Sequence, residues 1–326
     1  MRILLVSTTA IGDSVMATPF IRAARQRHPD AEISLFAHIR RMAVFEGNPH
    51  LNHLIPYHGK WKKLWTTLAR LRRGHFDLVL VLHANDPDIV PLVRWTGAPQ
   101  RVGWGESKWA HLFTHSLLRT DPPEHFLAHK KRLAELAGIP VHDLRTELFL
   151  NDADDLRTRE EILPWTEKAS KGKGYVVMHC FGTNPLKWWP LEQFFTMSGY
   201  LFKKHGLATV FVGDEQARQQ VRSHRSFDPS LHLAPSGLSI RQSACVIRAA
   251  RRMLTTDSGP MHLAFAVRCP TLCLFGPTHP SVHGPAFDLD LHRVIHQNPL
   301  STLEFQEVAK VWDEWTSQID RLPIST

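Results

Sequence analysis

Short apolar runs alternate with helix-like stretches along the whole chain, and this alternation restricts its fold more than any other feature. In the first half the strand-like runs are 2–7, 32–37, 53–57, 77–83 and 101–103. Helical patterns at 14–28 and 42–46 fill part of the intervals. In the second half the runs are 175–179, 208–212, 231–233, 253–256, 271–275 and 293–296, with helical patterns at 191–205, 215–224, 240–250 and 261–266. Such alternation predicts parallel sheets with helices on both faces, and two such blocks predict two doubly wound α/β domains. The polar stretch 151–174 is the expected boundary, which divides the chain into 1–160 and 161–326. A final helix, about 303–319, is expected after the last strand and is allowed to return to the first domain. Two open sheets of this kind would turn the carboxyl ends of their strands to a shared central cleft, where ligands bind.

The 326 residues suit two domains of ordinary size. No run approaches the ~18 apolar residues of a membrane span. The only early apolar block, Ile3–Val6, is soon followed by Asp13, so the start does not read as a signal peptide. Four cysteines are too few for a disulfide framework and point to a reducing cytoplasm. Cys269 and Cys273 have no second close pair, which argues against zinc.

The net charge of +8 is uneven. Residues 1–150 hold 20 basic and 13 acidic residues, and 151–326 hold 19 and 18. The densest patch is Lys60, Lys62, Lys63, Arg70, Arg72 and Arg73, with no acid among them. Trp61, Leu64, Trp65, Leu68 and Leu71 recur there at helical spacing, as in a basic amphipathic helix. It reads either as a solvated surface helix or as a face for an anionic partner.

Three loops at strand ends carry candidate chemistry. The first, Thr8 to Ser14, stands where a dinucleotide fingerprint would, but of its glycines only Gly12 is present. Asp13 there is either a helix-capping acid or a carboxylate able to take a proton. In the second, Cys180 to Pro190, Gly182 permits close backbone approach, and Thr183 and Lys187 suit phosphate oxygens. In the third, Asp257-Ser258-Gly259-Pro260-Met261-His262 opens a helix whose first amides form an anion site; Pro260 offers none. Asp257 could orient a ribose or cap that helix. His262 is a ligand contact or a packing histidine. Glu215 is either a ribose-binding acid or an ordinary first-turn acid. Asp86-Pro87-Asp88 reads as a solvated loop.

Taken in order, these motifs resemble the lipopolysaccharide heptosyltransferase family (glycosyltransferase family 9), and the resemblance covers essentially the whole chain. Gly12-Asp13 followed by Thr18-Pro19 resembles the family's G-D-x-x-x-x-T-P, and Lys187-Trp188-Trp189-Pro190 resembles K-x-W-P. The segment Asp257 to Leu263 is similar to D-T-G-P-M-H-L, with Ser258 for threonine. Phe275 to Pro280 is similar to F-G-P-T-D-P, with His279 for aspartate.

The resemblance implies a GT-B fold and an inverting transfer of heptose from ADP-heptose to the inner core of lipopolysaccharide, with no required metal. It implies Asp13 as general base. Lys187, Thr183, and Ser258, Gly259, Met261 and His262 would bind the diphosphate, while Asp257, His262 and Glu215 would fix nucleotide and sugar. Gly12, Lys60, Lys62 and Lys63 would fall on the acceptor side, with loose attachment to an anionic inner leaflet. The other readings are a GT-B enzyme using a different donor sugar, or a nucleotide-sugar epimerase. Nucleic acid is not an expected partner, because no nucleic-acid module is recognisable.

Overall fold

The computed structural model describes residues 1–320, which form two compact units that meet at Phe149/Leu150. The first unit contains β1 (Arg2–Ser7), β2 (Glu32–His38), β3 (His53–Tyr57), β4 (Leu78–His83), β5 (Gln100–Trp104) and β6 (His115–Leu117). Its helices are α1 (Ile11–Val15), α2 (Thr18–Arg27), α3 (Leu64–Arg73), α4 (Ile89–Trp95) and α5 (Phe126–Leu136). The second contains β7 (Tyr175–His179), β8 (Ala208–Phe211), β9 (His232–Leu233), β10 (Arg252–Thr256), β11 (Thr271–Phe275) and β12 (His292–His296). Its helices are α6 (Asp152–Arg157), α7 (Leu163–Ser170), α8 (Leu191–His205), α9 (Glu215–Arg222), α10 (Ile240–Ala249), α11 (Gly259–Ala266), α12 (Pro280–His283) and α13 (Phe305–Ile319).

Every strand pairing is parallel. The first sheet runs β3-β2-β1-β4-β5-β6, and the second runs β12-β11-β10-β7-β8-β9. Counted from the first strand of each unit, both orders are 3-2-1-4-5-6, the doubly wound order. In each unit the winding reverses between the first strand and the fourth, at β1/β4 and at β7/β10. The central strands read as continuous apolar runs because helices cover both faces: β4 is buried along its whole length.

The expected single helix at 14–28 is broken into α1 and α2. Pro19 has no N–H to return to Val15, and the Thr18 hydroxyl instead donates to the Val15 carbonyl at 2.8 Å. The polar stretch expected as the domain boundary is largely helical. Asn151 and Asp154 cap α6 reciprocally, and Asp154 is paired with Arg241 of α10. Asp154 and Asp155 thus pair with α10 of the second unit, and the two compact units divide between Phe149 and Leu150. The last helix, α13, which the sequence allowed to return to the first domain, lies in the second unit's core. Val308, Trp312 and Trp315 are buried there with Trp189 and Phe194.

Candidate active site

In the first unit, chemistry gathers where β1 and β4 end side by side. The amide of Thr8 donates to the His83 carbonyl at 3.1 Å, which ties the two strand ends together. Asp13 follows on α1, partly buried. Its Oδ2 accepts from the Thr9 hydroxyl at 2.8 Å and lies 3.4 Å from His83 Nε2. Gly12 is buried beneath it. Behind this cluster sits Lys130 of α5, fully enclosed, and burial pushes its ammonium down to about 8. Neither His83 nor Lys130 carries a motif; only the fold brings them to Asp13. Beside the ends of β4 and β5 a cavity of about 350 Å³ is walled by Trp104 and Trp109, with Asp86, Glu106 and Arg119 at its polar edge.

The second unit repeats the plan at β7/β10. His179 ends β7, and Asp257 and Ser258 follow β10. Ser258 Oγ donates to the Thr256 carbonyl and lies 3.0 Å from His179 Nδ1. Burial pushes His179 down to about 4, so it stands there as a neutral imidazole. The chain after β7 brings Lys187 across the switch point, and its Nζ meets Asp257 Oδ2 at 2.6 Å. Thr278, after β11, donates to the same oxygen at 2.6 Å. Thr278 lies within the Phe275 to Pro280 motif, and its loop and that of Lys187 both converge on this one carboxylate.

Two tryptophans explain the shape of the Lys187 loop. Trp188 Nε1 donates to the Gly182 carbonyl at 2.8 Å, and the fully buried Trp189 donates to the Leu303 carbonyl at 2.8 Å. Gly276 lets the turn after β11 close on this loop: a Cβ there would stand 3.1 Å from the Leu186 carbonyl oxygen. Gly182 passes beside Asp257 and Ser258. Helix α11 then starts at Gly259, its first amides left without intrahelical partners by geometry. A lysine, a hydroxyl and a helix N-terminus at a doubly wound switch point are groups chemically able to hold an anion.

A family model described as glycosyltransferase family 9 (heptosyltransferase) matches residues 64–312. The chain belongs to that family. It is 22% identical over 298 residues to the lipopolysaccharide core heptosyltransferase OpsX of Haemophilus influenzae, a match covering 88% of this chain and 82% of that one. The glycosyltransferase family 9 protein of Veillonella parvula superposes with a TM-score of 0.81 at 20% identity, over 97% of both chains. The ADP-heptose lipopolysaccharide heptosyltransferase II of E. coli superposes with a TM-score of 0.80 at 20% identity, over 98% of this chain and all of that one. The fold is GT-B, and the protein is a glycosyltransferase.

The remaining candidate residues of this family 9 chain fall as follows. Met261 and His262 are buried on α11, so the α11 backbone rather than the methionine side chain is available to a ligand. His262 packs 5.8 Å from the Phe265 ring. Thr183 is exposed in its loop. Glu215 is exposed on α9 and its carboxylate is held by Arg222 and Arg218, which together depress it to about 2. His279 accepts the Ser281 amide at the start of α12, a capping role an aspartate oxygen can also perform.

The basic patch departs from expectation. Lys60, Lys62 and Lys63 are exposed, but they lie in a turn ahead of α3, not on the helix. Trp61 and Lys63 are left-handed there, with φ of +58° and +48°. Asp88, expected in a solvated loop, is buried and fixes this turn: its carboxylate accepts from the Trp61 amide at 2.9 Å and the Tyr57 hydroxyl at 2.8 Å. Trp65 is 80% exposed rather than part of a buried stripe. With Trp61, Lys63, Arg70 and Arg73 it lines a broad groove of about 1170 Å³. Among the described residues no cluster of His, Cys, Asp and Glu is placed to hold a metal ion, and no helix is long and apolar enough to cross a membrane.

Proposed function

We propose that this chain transfers heptose from ADP-heptose to the inner core of lipopolysaccharide, with inversion at the anomeric carbon. The observation that carries the reading is the convergence of Lys187, Asp257 and Thr278 beside the start of α11. Lys187 has three donors, enough to hold Asp257 and a phosphate oxygen together. With the first amides of α11, and Thr183 at the rim, it would stabilise the charge that builds on ADP as the glycosidic bond breaks. That supplies at the diphosphate the positive charge a metal provides in other transferases, so the reaction is expected to need none. Asp257, His262 and Glu215 would fix nucleotide and sugar, Glu215 after releasing one of its arginines.

Asp13 would take the proton of the attacking acceptor hydroxyl. Support comes from its place at the β1/β4 switch point and from the Trp-walled cavity in the same unit, whose aromatic faces and polar edge suit a sugar. The turn carrying Lys60, Lys62 and Lys63 would meet the acidic inner core or anionic headgroups around it. Each basic residue near such a surface adds about 1 kcal/mol. On this reading the enzyme works in the cytoplasm, peripheral to the membrane face where the acceptor is built.

The test is Asp13→Ala, assayed with ADP-heptose and a heptose-free inner-core acceptor. Turnover should fall by about 10²–10⁴-fold, the range of a lost general base. ADP affinity measured by calorimetry should stay unchanged. Near-normal turnover in this variant removes Asp13 from the chemistry. An isomerised sugar after incubation with the donor alone would mark an epimerase instead.

A further inference from the structure

Lys130 is the feature of the first unit that the reading above leaves without a role. It sits on the inner face of α5, fully buried, and its ammonium has no hydrogen-bond partner. An enclosed, unpartnered ammonium is costly, and a packing role would be better filled by methionine or leucine. Its surroundings lead to the base. Lys130 Nζ lies 5.8 Å from the Phe126 ring, Phe126 lies 5.9 Å from the His83 ring, and His83 Nε2 lies 3.4 Å from Asp13 Oδ2.

The charged groups on the elements packed around α5 are otherwise engaged. Arg22 of α2 is bound to Glu147 and Asp143, and Glu124 is bound to Arg132. Arg101 of β5 donates to the carbonyls of Ala98 and Leu112, and His115 of β6 is bonded to Thr114. His129 stacks 4.0 Å from Trp104, and Arg119 lies over Phe126 at 5.7 Å. Asp13 is the acid whose charge acts on Lys130, favouring its protonated form against burial.

We propose that Lys130 is a positioning residue for the base, its enclosed ammonium keeping the Asp13 carboxylate ionised and aimed between Thr9 and His83. Through the reaction Lys130 keeps its own proton; the proton of the acceptor hydroxyl goes to Asp13. This rests on Asp13 being the base, so Asp13→Asn is measured alongside.

The experiment is the pH dependence of kcat and kcat/KM for the full chain and for Lys130→Met and Lys130→Gln. Without the ammonium, ionising Asp13 becomes harder. The acid limb of both profiles should move up by about one pH unit, and the plateau of kcat above it should fall through the lost aim of the carboxylate rather than through its protonation. ADP affinity should stay at the parent value, and both variants should fold at least as stably as the parent. Unmoved acid limbs in folded variants, even with lowered rates, overturn the proposal, since a packing defect changes rate without moving a titration. If Asp13→Asn itself keeps its turnover, the reading of the base fails instead, whatever Lys130 does.

Discussion

Asp257 sits where two opposing influences meet. Burial alone would raise its carboxyl, but the hydrogen bonds from Lys187 and Thr278 hold it below the usual carboxylate range. A carboxylate depressed in the folded state adds stability that is present above its unfolded value near 3.9, and that is lost as pH falls through the lower folded value. The second unit should therefore lose stability below about pH 4. Lys187→Met should flatten that acid limb and, at neutral pH, cost about 2 kcal/mol, less than a fully buried pair because Lys187 keeps some exposure. Thermal unfolding between pH 2 and 7 checks both. A parallel acid limb in parent and variant would show that the pair does not set it. Only part of this residue pattern is legible beforehand: Asp257 and Lys187 stand in motifs, while His83 and His179 close apolar strands without one, and Lys130 is hidden in the basic run His129 to Arg132. Their meaning comes from what the sheet places beside them.

At the scale of elements, the turn before α3 shows why periodicity misleads. Trp61 and Trp65 fit a helical apolar stripe by spacing, yet Trp61 precedes the helix and Trp65 faces solvent. The deciding partner is Asp88, distant in sequence, which pins the Trp61 amide and holds a left-handed backbone that no local preference favours. Replacing Lys60, Lys62 and Lys63 together by Gln should raise the KM for the anionic acceptor about tenfold or more while leaving ADP affinity unchanged. The difference should shrink as salt is raised, because exposed charges are screened. A salt-independent KM equal to the parent's would detach this turn from the acceptor. The Lys187 loop illustrates the opposite case. Its two tryptophans are adjacent in sequence, but one ties the loop to itself and the other anchors it to the segment before α13. Thus the C-terminal segment supports the Lys187 loop from within its own unit.

At the scale of the molecule, the same winding order appears twice, and each copy places its candidate chemistry at its own reversal point. The proposed division of labour between the units predicts how ligand affects stability. ADP at one hundred times its Kd should stabilise the protein by about 2.7 kcal/mol. Asp13→Ala should show the same gain, and Lys187→Met a smaller one at equal ADP concentration. A thermal-shift titration of the three proteins reads this directly. Loss of the ADP gain in Asp13→Ala would mean that the nucleotide is not held by the second unit alone.

Alternation of apolar runs and the order of four motifs were enough to determine two parallel-sheet units and the family, and to single out candidate residues at the strand ends. Those signals are local: period, turn chemistry and spacing act within a few residues, and a doubly wound sheet converts strand ends into a site by rule. Tertiary structure alone decided which side chains meet across the reversal points, where the helical segment after 150 belongs, and which face of the basic turn is open. Each of these depends on contacts between residues tens of positions apart, such as Thr8 with His83, Asp154 with Arg241, and Trp61 with Asp88. No periodicity encodes such contacts, because they exist only once the sheets have brought distant segments within hydrogen-bonding reach.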